Sequence, residues 1–350
     1  MSRYSALLLA VLCATAAPGV VSTAAAQAPA SDAERWEVPR TPDGHPDLQG
    51  NWTNATPTPF EREEGQGAVF TADEVARLEQ EQQERIIRGS EPSDPDRPAP
   101  TAGASVGTYN QVFFDRGDRV AVVDGEPRSS LVTNPANGRR PALTPEGERR
   151  MQEFRDFRGQ FGQYDHPELR PLAERCLVSF GSPAGPPMIS NGGYNSNYTI
   201  VQTADHVMIM TEMVHDARII RIGDGPRLPQ HIRPWFGDSW GRWEGDALVV
   251  ETTNINPQQG LRGAPPPSEH MRVTERFTRV DEETILYEFT VEDPTIYTQV
   301  WGGEIPIKKL HDRLYEYACQ EGNYALAGVL SGARYQERMQ AQEANDSRRD

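Results

Sequence analysis

Cysteine is scarce in this chain of 350 residues: only Cys13, Cys176 and Cys319 are present, and no clustered Cys/His spacing of a zinc site occurs. Basic residues are also in deficit, with 35 Lys and Arg against 51 Asp and Glu and a formal net charge of -16. Neutralising phosphates takes clustered Lys and Arg, so a nucleic-acid partner is excluded and the charge reads as a solubilising surface. After the first 26 residues no apolar run approaches the ~20 residues that a membrane span requires. No glycine-rich phosphate loop precedes a helix and no dinucleotide fingerprint occurs. Gly237-Asp238-Ser239-Trp240-Gly241 is not Gly-x-Ser-x-Gly and lies in a hairpin rather than a strand-to-helix elbow. No cofactor and no metal are therefore expected.

What is there begins with an export signal. Residues 1–26 carry Arg3, an apolar run from Leu7 to Leu12, and an Ala24-Ala25-Ala26 end that suits signal peptidase before Gln27. Leu12 before Cys13 lacks the small residue expected ahead of a lipidated cysteine. The expected location is periplasmic or secreted, and Cys13 leaves with the signal. Cys176 and Cys319 then remain as an even pair in an oxidising compartment and are expected to form a disulfide. The alternative, a thiolate nucleophile, needs a free cysteine beside a base.

Residues 27–170 read as a loosely built N-terminal region with 29 Pro and 30 Gly spread along the whole chain to interrupt regular structure. Gly50-Asn51-Trp52 is a short element of the Gly-x-Trp kind that marks the start of lipocalin-like barrels. A helix is predicted over 71–88, where Thr71 and Glu74 make a capping box and Phe70 with Val75 a hydrophobic staple. Residues 89–105 are a Pro- and Ser-rich linker. Short strands are predicted at 111–114 and 131–133, and a second helix over 144–157 with Pro145 in its first turn.

From Val178 the pattern turns to dense β. Strands are predicted at 198–202, 206–214, 217–222, in two hairpins between Ser239 and Asp293, at 298–308 and at 314–319. Gly192-Gly193, Gly223 to Gly225, Gly245-Asp246 and Asp281 to Thr284 supply turns. Eight or nine short strands at this spacing predict a mainly β fold: an antiparallel up-and-down barrel of lipocalin-like shape over 171–332, with a two-sheet β-sandwich as the alternative. Residues 333–350 read as a polar tail.

Strand parity supplies the chemical signal. Met271, Val273, Glu275 and Phe277 share one face of a strand, and Ile285, Tyr287, Phe289, Val291 and Asp293 share one face of its partner. Two carboxylates thus sit in apolar rows, where an ionised group must be paired, protonated or functional. Barrel interiors raise carboxyl pKa values by desolvation, which suits general acid–base catalysis near neutral pH. The catalytic candidates are Glu275, Tyr287, Glu212, His215 and Arg218. Trp243, Trp301, Tyr297 and Asp293 are substrate-binding candidates, with Trp235 and Trp240 as further aromatics for a pocket. Each has a structural alternative: Glu275 can pair with Arg272 or Arg276 at a rim, Glu212 with Arg218 across a bulge, and Asp293-Pro294 can end a strand. Glu212 and His215 stand three apart, a metal spacing on a helix, but on a strand they point to opposite faces unless a bulge intervenes at Val214 to Asp216. A purely catalytic Glu275 predicts that Glu275→Gln spares the fold.

The segments PDLQGNW, RCLVSFGSPAGPPM, TEMVHDARII, GDSWGRWEGDALVVETTN, ERFTRVD, LYEFTVEDP and YACQEGNY resemble an uncharacterised family of secreted bacterial proteins, often present as many paralogues. The match covers most of Asp43 to Gly332. The resemblance implies export and a β-rich domain, and its multiplicity suits catabolism of varied small molecules. Together these readings predict an exported enzyme using cofactor-independent acid–base chemistry, of lyase, decarboxylase or hydrolase type, on a small aromatic or apolar compound. Its alternatives are a small-ligand carrier and a carbohydrate-binding or wall-associated module that stacks sugars on Trp240 and Trp301.

Overall fold

The computed structural model describes residues 36–92, 95, 96, 98, 114–179, 183–189, 196–260 and 263–348. The expected signal segment, most of the expected 89–105 linker and the Gly192-Gly193 turn lie outside them. Among the described residues twelve strands and three α-helices follow one another. They are β1 (Gly50–Thr53), α1 (Ala72–Ser90), β2 (Val122–Val123), β3 (Glu126–Pro127), β4 (Val132–Asn134), α2 (Pro145–Gly159), β5 (Asn197–Gln202), β6 (His206–Thr211), β7 (Ala217–Ile222), β8 (Asp238–Glu244), β9 (Ala247–Thr253), β10 (Arg272–Arg279), β11 (Thr284–Glu292), β12 (Trp301–Lys309) and α3 (Tyr324–Asp346). Val38–Asp350 forms one compact unit.

β1 and β5 to β12 close into a nine-stranded barrel, because β1 pairs with both β5 and β12, and β4 adds to the upper half of β12. The barrel is therefore mixed rather than purely antiparallel: β7 and β8 run parallel, with Arg221 opposite Trp240. The reason is parity. Strand directions cannot alternate all the way round a ring of nine, so at least one neighbouring pair must be parallel. The 223–237 connection carries the chain from one end of the barrel back to the other to make that pair. It passes so close to Trp240 that a Cβ on Gly225 would sit 1.9 Å from the indole.

Three further expectations need correction. The barrel is not drawn from 171–332 alone, since β1 comes from the N-terminal region and buries Trp52 completely. Residues 314–319 are not a strand, and much of the expected polar tail belongs to α3, a helix with no buried residue. Phe114 lies in no strand, and residues 111–113 are outside the described part. The capping box at Thr71 and Glu74 is present, and Thr144 caps α2 ahead of Pro145.

The rows read from parity point inward. Val273, Glu275, Phe277, Ile285, Tyr287, Phe289 and Val291 are all buried, and Phe277 pairs with Tyr287 and Glu275 with Phe289 across the hairpin. Each fully buried large apolar side chain adds on the order of 1.5–3 kcal/mol to the core. At one end of the barrel the Leu48 segment closes the interior: Trp52 Nε1 donates to Leu48 O at 2.9 Å, and Arg279 reaches Asp47 O at 2.8 Å. Cys176 and Cys319 are joined as a disulfide with a Cα separation of 5.7 Å, tying the entry to the barrel to the segment after β12.

Candidate functional site

A belt of polar side chains crosses five consecutive strands in the upper half of the barrel. β7 contributes Arg218, β8 Ser239, β9 Thr252, β10 Glu275 and β11 Tyr287, all buried. The Arg218 guanidinium grips Glu275 with both arms: Nη1 donates to Oε1 at 2.9 Å, and Nη2 forms a short contact with Oε2. Its remaining donors go to Ser239 Oγ at 3.2 Å, Thr252 Oγ1 at 3.0 Å and Ala184 O at 3.4 Å. All five guanidinium N–H groups are thus engaged. Tyr287 Oη donates to Glu275 Oε1 at 2.8 Å and accepts from the Met188 amide at 2.7 Å.

Removing two charges from water costs several kcal/mol per ion, which this pair recovers only through complete hydrogen bonding. The same desolvation, followed by the Glu275 charge, holds the Tyr287 phenol proton well above its ordinary range. Tyr198, fully buried on β5, is also pushed up by burial, against the opposing donation from Asn54.

Pro183 to Met188 form the lid of this belt, and every residue in that stretch is buried. Side chains of β5, β7 and two loops serve its carbonyls: Tyr198 Oη donates to Pro183 O, Arg218 to Ala184 O, Gln259 Nε2 to Gly185 O at 2.8 Å, and Asn54 Nδ2 to Met188 O at 3.4 Å. Three prolines remove amide donors that would otherwise need partners in the interior. Gly185, at φ 83°, brings the backbone so close that an added Cβ would lie 3.0 Å from Arg218 Nη1. On the outer side Pro186 lines a cavity with Gln259, Pro265, Pro267, Asp293 and Tyr297.

The structure therefore brings Glu275, Tyr287 and Arg218 together and leaves the other candidates apart. Glu212 is at the rim, accepting from Asn197 Nδ2 at 2.9 Å and from the Tyr315 amide at 3.0 Å. The chain does leave its strand at Met213–His215, with Val214 and His215 at positive φ, but His215 ends exposed to solvent. Among the described residues no three His, Cys, Asp or Glu converge on a metal position. Asp293 is buried and accepts from the Ser268 amide and hydroxyl at 2.9 and 2.6 Å. Tyr297 sits beside it in the outer cavity, its phenol pushed up to about 12 by burial. Trp301 is buried in an aromatic cluster with Phe60, Phe289 and Tyr297. Trp243 lies at the far end, stacked on His45 with centroids 4.9 Å apart.

Sequence reasoning did not reach Ser239, Thr252, Asn54, Tyr198 or Gln259. Parity points to the first two, which share inward rows with Trp243 and Val250; no pattern points to the others, whose partners are loop carbonyls. Also unforeseen was Asp216, buried and bound by the Ser179 amide and hydroxyl at 2.8 and 2.7 Å, with its pKa raised by burial.

No protein-family model matches the chain, and no curated protein matches it in sequence.

Proposed function

We propose that this protein is an exported small-molecule enzyme that uses acid–base chemistry without a cofactor, of lyase, decarboxylase or hydrolase type, on an aromatic or otherwise apolar compound. Glu275 and Tyr287 exchange the proton with the substrate, and Arg218 balances the charge. The observation that carries this reading is the phenol hydrogen-bonded to a buried carboxylate, directly beneath a segment whose other side lines a cavity. A proton-transfer pair needs hydrogen-bond contact and a dry site, and both conditions are met. The disulfide suits an oxidising compartment, and among the described residues no helix is long and apolar enough to cross a membrane.

One observation favours a carrier instead: each polar atom of Arg218, Glu275 and Tyr287 already has a partner, as in a network whose work is to hold the barrel together. The carbohydrate-module reading loses its stacking residues, because Trp301 is buried and Trp240 lies under Arg221, 4.1 Å from the ring centroid.

Tyr287→Phe separates enzyme from carrier. Incubation of the purified protein with a library of small aromatic esters, amides and acids, followed by mass spectrometry, reports loss of carbon dioxide or gain of water. The phenylalanine variant should fold and turn over about 10² to 10⁴ times more slowly, whereas Glu288→Gln, on the outer face, should match wild type. Binding without turnover in every protein would leave the carrier reading in place.

A further inference from the structure

The lid segment makes two contacts with the catalytic cluster, and they are of opposite kinds. Ala184 offers a carbonyl oxygen to Arg218 Nη1, while Met188 offers an amide N–H to Tyr287 Oη. Both protein atoms also touch one oxygen, Glu275 Oε1, at 2.9 and 2.8 Å, so a single small functional group spans them. A carbonyl acceptor joined to an N–H donor is a carboxamide.

The cluster is also electrically balanced, since one guanidinium faces one carboxylate. A ligand arriving as an anion would place a second buried negative charge beside Glu275 without a counter-ion, and the desolvation of that charge would go uncompensated. The ligand must therefore be neutral. A further acceptor stands ready: Asn54 Oδ1 is buried and has no hydrogen-bond partner among the described residues, although its Nδ2 serves Met188 O and Tyr198 Oη. It can take a second amide hydrogen or a hydroxyl.

We propose that residues 183–188 occupy, within the chain itself, the binding site for a neutral carboxamide-type ligand, which displaces them and takes over the positions of the Ala184 carbonyl and the Met188 amide. The location of the site rests on the functional reading above; the chemical class rests on the two contacts and the charge balance. Binding alone tests it, so it can fail while Tyr287→Phe still slows turnover, and it can stand if the barrel is a carrier.

The probes are benzamide, benzoate and toluene, measured by calorimetry on the purified wild-type protein and on Gln259→Ala. Gln259 holds Gly185 O and touches neither Arg218 nor Tyr287 by hydrogen bond, so its removal loosens the lid and spares the cluster. Losing one net hydrogen bond from the closed state should tighten benzamide binding about five-fold. Benzoate and toluene should bind at least ten-fold more weakly than benzamide. Hydrogen exchange in the peptide covering 183–189 should speed up on binding. If Gln259→Ala does not fold, Tyr198→Phe releases the Pro183 end of the lid and replaces it. Benzamide binding no tighter than toluene, a preference for benzoate, no benzamide binding to either protein, or binding with unchanged exchange at 183–189 would each overturn the proposal.

Discussion

Arg218 and Glu275 stand 57 residues apart in the chain and form a bidentate ion pair in the barrel interior, 1% and 0% exposed. Glu275→Gln alone leaves an uncompensated guanidinium in the core, so it is expected to destabilise the fold rather than spare it as a purely catalytic glutamate would. The single substitution is expected to cost about 3–5 kcal/mol, read from the urea midpoint. Arg218→Met with Glu275→Leu removes both charges and should recover most of that loss while binding and turnover stay absent. Equal instability of the single and double variants would contradict this account.

Loss of the Cys176–Cys319 link frees a loop with a sequence separation of 143. In the chain-entropy model the bond contributes on the order of 5 kcal/mol, less any native strain. Cys176→Ala with Cys319→Ala should lower Tm markedly, and thiol titration of the unreduced, denatured wild-type chain should find neither of these two cysteines free.

Gly225→Ala puts a methyl group where the Trp240 ring already lies. Overpacking of this kind costs typically about 1–3 kcal/mol. Because the strain falls on the connection that makes the parallel β7–β8 pair, protection of the β8 amides from exchange should fall more than that of β10 or β11. Uniform loss of protection would refute a local effect.

Alkaline titration should separate Tyr198 and Tyr287 from bulk phenol behaviour. Both have folded pKa values above the ordinary value of 10.0. The stability they contribute is complete below that value and is lost as pH climbs from it toward the folded pKa, so base weakens the fold. Their phenolate absorbance should appear only together with loss of the β circular dichroism signal; earlier appearance would mean that the interior is wet.

Asp216 gives the opposite window. Burial raises its pKa even though Ser179 donates twice, so the ionised form is the disfavoured one in the folded protein. Its favourable term is present below the ordinary aspartate range and is lost as pH rises through the folded value. Asp216→Asn should therefore be more stable than wild type at neutral pH, with the difference shrinking as pH falls. A stability gap that widens in acid would reverse the sign.

How much of this was legible in the chain follows from the range of each signal. The capping box at Thr71 and Glu74, the β10–β11 rows and the inward direction of Glu275 and Tyr287 depend on neighbours one to four residues away, and periodicity carries them. The Cys176–Cys319 pairing was legible too, because setting Cys13 aside with the expected signal segment leaves these two alone. Tertiary structure decided what periodicity cannot hold. The strand count of nine, which forces the parallel pair, depends on β1 returning to meet β12 across more than two hundred residues. Arg218 was recognisable as a candidate, but its pairing with Glu275 rather than Glu212 came from barrel closure. Parity states which face a side chain occupies, and only the wrapped sheet states which strands that face looks toward. Pro183 to Met188 carry no period at all: their place over the cluster comes from side chains on two strands and two loops, each donating to a carbonyl that every residue possesses.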